Sequence, residues 1–92
     1  MTNEIFDELF TKDFHILSFL YDAKHNNKVS MTQKEIADNF NLSRATVNAI
    51  FGRLRKNGFI RNDGSNVGRY ILEQRGVQTV KQFRKIVNSL EV

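Results

Sequence analysis

Apolar residues recur at three- and four-residue spacing through much of the chain, and each break in that rhythm predicts an element boundary. Thr2 is placed to cap a first short helix carrying Ile5, Phe6, Leu9 and Phe10, with Glu4, Asp7 and Glu8 near its positive N-terminal end. Thr11 is placed to cap a second, whose stripe is Phe14, Leu17, Leu20 and Tyr21, widened by Ile16 and Phe19. Together they predict a helical flank over residues 3–24, ended by the polar loop KHNNK at residues 24–28. The following KVSM admits a very short strand.

Thr32 and Glu35 then stand in the reciprocal spacing that starts helices. Ile36, Ala37 and Phe40 give that helix its inner face, and Asn41, tolerant of a left-handed backbone, ends it. Ser43 opens another helix with Val47, Ile50, Phe51 and Leu54 inward, stopped by Asn57 and Gly58. Beyond Gly58 the period changes. FIRND and RYILEQ are β-prone and flank GSNVG, a cluster suited to a hairpin tip, so a hairpin is expected over about residues 59–74. Helical spacing returns over 77–90, with Val77, Val80, Phe83, Val87 and Leu90 on one side and Lys81, Arg84 and Lys85 off it. The expected fold class is mainly α with a small β-hairpin (α+β), in a single domain over residues 1–92, because a chain of this length has room for one core.

Composition narrows the chemistry. With no Cys there is no disulfide, thiolate zinc site or cysteine nucleophile, which fits a reducing cytosol. The run FHILSFLYDA is too short and too interrupted to span a membrane and has no basic leader, so a soluble, cytoplasmic protein without a signal peptide is expected. His15 and His25 lack the carboxylate or cysteine company of a metal site. No set of nucleophile, base and orienting acid is apparent, and GSNVG is too short and wrongly placed for a phosphate loop, so neither enzyme activity nor a cofactor is expected. Charge is uneven. Residues 1–30 hold three cations and five carboxylates, net −2, whereas residues 31–92 hold eleven cations and five carboxylates, net +6. A basic region of this kind favours polyanions.

That region also has the order of parts of a helix-turn-helix. Two helices crossing steeply over a tight turn need a small residue where they approach, a turn residue, a plug and a capped second helix, and Ala37, Asn41, Leu42 and Ser43 stand in that order, with Val47 and Ile50 beneath the second helix. Ser43 as N-cap leaves first-turn N–H groups able to meet a phosphate. Ala45, Ala49 and Gly52 on the same helix offer little to hydrogen-bond.

Residues 32–60, with EIA, LSRATV and LRKNGFI, resemble the helix-turn-helix of winged-helix bacterial regulators, including the MarR (multiple antibiotic resistance regulator) type, and the similarity runs through RNDGSNVGRYIL into EQRG. The resemblance implies a winged helix-turn-helix fold: a helix-turn-helix at about 32–57, a wing at about 59–74 and flanking helices. It implies that Ser43, Arg44, Ala45, Asn48 and Ala49 face the major groove while Thr46 points toward a flanking phosphate. Arg44 then suits guanine O6 and N7, and Asn48 adenine N6 and N7. Thr32, Gln33 and Lys34 would hold the DNA backbone, and Arg53, Arg55 and Lys56 would add charge toward phosphates. With so few base readers in the helix, either the helix or the wing can dominate specificity, the wing through Arg61, Arg69, Ser65 and Asn66. Arg53, Arg55 and Lys56 read equally as a solvated helix end, and Arg61 and Arg69 as neighbours on an exposed ribbon. The wing is shorter than the usual MarR wing and lacks its Asp-x-Arg pattern, and no small-molecule effector is inferred.

The functional expectation is a sequence-specific double-stranded DNA-binding protein acting as a small transcriptional regulator. Two alternatives stand beside it: an accessory protein of a plasmid or mobile element at a replication, partition or transfer origin, and a winged helix that binds protein rather than DNA. The terminal helices suit either packing on the domain or a seam with a second copy, and a homodimer through them is expected.

Overall fold

The apolar rhythm becomes four helices and three short strands in the computed structural model, which describes residues 12–64 and 68–90. The first expected helix, its Thr2 cap and the Thr11 cap lie outside the described residues. α1 (Lys12–Ala23) turns its Ile16, Leu17 and Leu20 inward. The polar loop after it is tighter than its composition suggests. Asn26 and Asn27, both with positive φ, form a two-residue turn closed by His25 and Lys28, which exchange backbone hydrogen bonds of 2.8 and 3.0 Å. Asparagine tolerates the left-handed backbone that such a turn requires at both central positions.

The turn launches β1 (Lys28–Ser30), which buries only Val29. α2 (Gln33–Phe40) starts on the expected capping box. Thr32 Oγ1 accepts the Glu35 N–H at 3.1 Å, and Glu35 Oε1 accepts the Thr32 N–H at 3.2 Å. It ends at Asn41, φ 53° and ψ 47°, whose N–H donates to Asp38 O while Leu42 N–H donates to Ala37 O at 2.9 Å. α3 (Arg44–Lys56) runs from the Ser43 cap to Asn57. There Gly58, φ +76°, donates to Arg55 O and Phe59 N–H donates to Leu54 O, both at 3.0 Å. A left-handed residue after the last turn satisfies carbonyls that would otherwise be orphaned.

β2 (Ile60–Asn62) and β3 (Arg69–Leu72) form the hairpin arms, and β1 adds to the free side of β3. The result is a three-stranded antiparallel sheet of order β1-β3-β2, with Val29 and Asn62 both opposite Tyr70. The hairpin read from the sequence is therefore two-thirds of a sheet whose central strand is β3.

α4 (Gln74–Leu90) begins three residues before the first apolar position of its stripe. RYILEQ is strand only to Leu72, because Glu73 N–H donates to Phe59 O at 2.9 Å and Glu73 O accepts Val77 N–H at 3.0 Å, which starts the helix there. Gly76 makes the early start sterically feasible: a Cβ at this position would overlap the Phe59 carbonyl oxygen. Gly76→Ala is accordingly expected to destabilise the protein by about 1–3 kcal/mol, against the helix preference for alanine over glycine. Urea unfolding checks this, and unchanged stability would mean that α4 can retreat from Phe59 at no cost.

One core joins all these elements: Ile16, Leu17 and Leu20 of α1, Val29 of β1, Ile36 and Ala37 of α2, Val47, Ile50, Phe51 and Leu54 of α3, Ile60, Tyr70 and Leu72 of the hairpin, and Val80 of α4. Phe51 meets Tyr70 edge-on with ring centres 4.7 Å apart, which ties α3 to the sheet. Among the described residues no polar side chain is buried. The α4 stripe divides along its length: Val80 is buried, Phe83 lies 4.6 Å from the Phe14 ring, and Leu90 is exposed. Arg84, off that stripe, clasps α1 instead. It donates to Ser18 Oγ and Asp22 Oδ1, each at 2.9 Å, and its guanidinium lies 4.7 Å from the centre of the Tyr21 ring.

Candidate nucleic-acid interface

The first turn of α3 is built by its cap. Ser43 Oγ accepts the Thr46 N–H at 3.1 Å and donates to Thr46 Oγ1 at 2.8 Å, so Thr46 is held against the cap with one oxygen lone pair engaged. Burial of Val47, Ile50, Phe51 and Leu54 turns the opposite face to solvent. That face carries Arg44, Ala45, Asn48 and Ala49, all exposed. The Arg44 and Asn48 side chains have no partner among the described residues and are free to meet a ligand. A Cβ added at Gly52 would have nothing within 4 Å, so this face is open as well as thin.

The other cations divide into engaged and free. Arg53 forks onto Asp13 of α1, Nε to Oδ2 at 2.7 Å and Nη2 to Oδ1 at 2.9 Å. The hydrogen bond and then the charge of Asp13 push the Arg53 pKa further up, so Arg53 stays charged at any working pH. A side chain expected to add charge toward phosphates thus joins α3 to α1. Arg53→Gln is expected to leave the salt dependence of DNA binding unchanged, whereas Lys56→Gln should make it shallower; fluorescence anisotropy across salt concentrations distinguishes them. Arg61 Nε donates to Glu73 Oε1 at 3.0 Å and closes the base of the hairpin onto the start of α4. Arg69 is exposed and pairs through its backbone with Ser30 on one side, while its carbonyl accepts Asp63 N–H at 3.0 Å on the other. Arg55 and Lys56 lie in the last turn of α3, where their charge also suits the negative helix end.

At the start of α2, Thr32 is committed to its capping box, while Lys34 is exposed and Gln33 half-buried. Ser65 and Asn66 lie outside the described residues. Sequence reading missed that Ser30 stands opposite Arg69 and that Met31 N–H donates to Gly68 O at 2.8 Å, which places the start of α2 beside the returning arm of the hairpin. The only local signal was Val29, a single apolar residue between two polar ones. Among the described residues no three His, Cys, Asp or Glu side chains are grouped to hold a metal, and no helix is long and apolar enough to cross a membrane.

A capped recognition helix with one face in the core and the other exposed, preceded by a short positioning helix and followed by a β-hairpin, defines a winged helix-turn-helix. Residues 15–77 match the Crp-like helix-turn-helix domain, and the chain belongs to that family. The fold is also that of a mutant of MepR from a multidrug-resistant S. aureus clinical isolate. That crystal structure superposes with a TM-score of 0.69 over 97% of this chain, at 22% sequence identity. The chain spans 66% of that protein's chain. No curated protein matches the sequence.

Proposed function

We propose that the protein is a sequence-specific double-stranded DNA-binding regulator of transcription, a single winged helix-turn-helix domain that sets α3 in the major groove and the wing on the minor groove or backbone. The observation that carries this reading is the outward face of α3, where Arg44 and Asn48 stand exposed and unengaged beside two alanines and a phosphate-ready cap. Charge supports it: residues 43–69 hold six cations and one carboxylate. Arg44 and Asn48 read base edges, while Lys34, Arg55, Lys56 and Arg69 supply backbone affinity. As a regulator of cellular DNA it acts in the cytoplasm.

The test is selection of bound sequences from random duplexes, followed by salt titration on the selected and a scrambled site. Steep salt dependence with preference for the selected site supports the reading. Salt-insensitive or absent binding would point to the protein-binding alternative. Genome-wide immunoprecipitation then separates promoter sites from a plasmid or mobile-element origin. Replacing Asn66 and Arg69 with alanine measures the share carried by the wing, and unchanged affinity would remove the wing from specificity.

The exposed large apolar side chains of α4, Ile86 at 43% and Leu90 at 54%, favour a homodimer through the terminal helices. Two-fold pairing doubles the length of DNA read. Sedimentation equilibrium showing only a 10.7 kDa species, with and without DNA, would defeat the dimer.

A further inference from the structure

Beside its core contacts with α3 through Phe59 and Tyr70, the wing also touches the start of α2. Its returning arm begins at Gly68, which is buried and has φ +76°. The Gly68 carbonyl accepts the Met31 N–H at 2.8 Å. A Cβ at Gly68 would lie 3.0 Å from the Thr32 γ-methyl and 3.5 Å from Thr32 Cα. Thr32 has little freedom to move aside. Its hydroxyl accepts the Glu35 N–H and also donates to the Glu35 carboxylate, both at 3.1 Å, and its own N–H donates to the same carboxylate at 3.2 Å. The cap that starts α2 therefore also holds the methyl group against the wing. Gly64, at the other end of the wing loop, has φ +61° but nothing within 4 Å of a Cβ, so a left-handed backbone recurs there without the contact.

We propose that Gly68, seated against the Thr32 γ-methyl, is a positioning residue that sets how far the wing stands from the helix-turn-helix, and thereby whether the wing cations reach phosphate while α3 occupies the major groove. The proposal rests on the DNA-binding reading. A Cβ at residue 68 adds to the strain of the left-handed backbone a contact to which Thr32 or the returning arm must yield by a few tenths of an ångström, shifting the arm or the cap. Either change moves Arg69, the next residue along, relative to α3. The discrimination by Arg44 and Asn48 is unaffected, because neither side chain touches this contact.

Gly68→Ala should bind the selected site about tenfold more weakly, with the slope of log affinity against log salt shallower by about one, the loss of one phosphate contact. Gly64→Ala carries a similar backbone penalty without the contact and should keep the parental slope. Thr32→Ser in the Gly68→Ala background removes the obstructing methyl and keeps the capping hydroxyl, and should restore the slope. An unchanged slope in Gly68→Ala, the same shallow slope in Gly64→Ala, or failure of the serine to restore it would each overturn the proposal. If Gly68→Ala does not fold, the double variant decides, since it must fold and bind with the parental slope.

Wing placement can also be read without DNA. Because the chain has no Cys, spin labels at Asp38→Cys and Asn66→Cys are unique. Their separation should shift or broaden in Gly68→Ala and return in the double variant, and an unshifted distance overturns the proposal. A parental chain that binds no DNA at all would instead sink the DNA-binding reading, with the spin-label distances still deciding the placement of the wing.

Discussion

Phe51→Ala is expected to destabilise the protein by about 3–5 kcal/mol, measurable as a shift of the urea unfolding midpoint at unchanged slope. Phe51 is fully buried on α3, and its ring meets Tyr70 of the central strand. Removing it deletes the largest fully buried side chain and leaves a void between the recognition helix and the sheet. A domain of this size has a total stability of about 5–15 kcal/mol, so the variant should lose a large fraction of it. Phe59→Ala makes the control, because Phe59 is half-buried and should cost clearly less. Equal losses at the two positions would show that the joint between α3 and β3 is not the centre of the core.

Arg44→Ala should have the largest effect on DNA binding, about 1–3 kcal/mol, or roughly five- to 150-fold in affinity for the selected site. The reason is scarcity. Between Ser43 and Gly52 the outward face has only Arg44 and Asn48 able to make bidentate contact with a base edge, with Ala45, Ala49 and Gly52 around them. The loss should fall on one base pair: selection with the variant should return a site relaxed at that position and otherwise intact. Arg44→Lys should restore charge and salt dependence but not the base preference, because an ammonium cannot reproduce the planar fork. A loss of equal size on every sequence would assign Arg44 to phosphate instead.

The parts legible in the sequence are those decided by local chemistry. Thr32 with Glu35, Asn41, Ser43, and Asn57 with Gly58 each act within a few residues of themselves, so spacing alone located both ends of α2 and α3. The apolar stripes were legible for the same reason. What escaped depended on partners distant in the chain. Arg53 and Asp13 are 40 residues apart, and Arg84 and Ser18 are 66 apart, so nothing near either arginine distinguishes a clasp from a solvated cation. The early start of α4 was hidden because Gln74, Arg75 and Gly76 have no apolar residue to extend the helical stripe, while a tertiary contact with Phe59 decides the boundary. β1 was legible as a candidate strand, but its pairing with β3 required the whole fold.

The cap that ends α3 also bears on the chemical lifetime of the protein. Asparagine followed by glycine is the sequence most prone to spontaneous deamidation, which proceeds when the glycine nitrogen attacks the asparagine side-chain carbonyl and expels its amide nitrogen as ammonia, leaving a cyclic imide. At Asn57 and Gly58 the folded chain ties up both reactants: the Gly58 nitrogen donates to Arg55 O at 3.0 Å, and the Asn57 side-chain nitrogen donates to Arg53 O at 2.9 Å. The turn that stops the recognition helix thus restrains the ring closure whose imide, once opened by water to a carboxylate, would place a negative charge beside Arg55 and Lys56, and ageing at this site should track the fraction of time that the end of α3 is unwound.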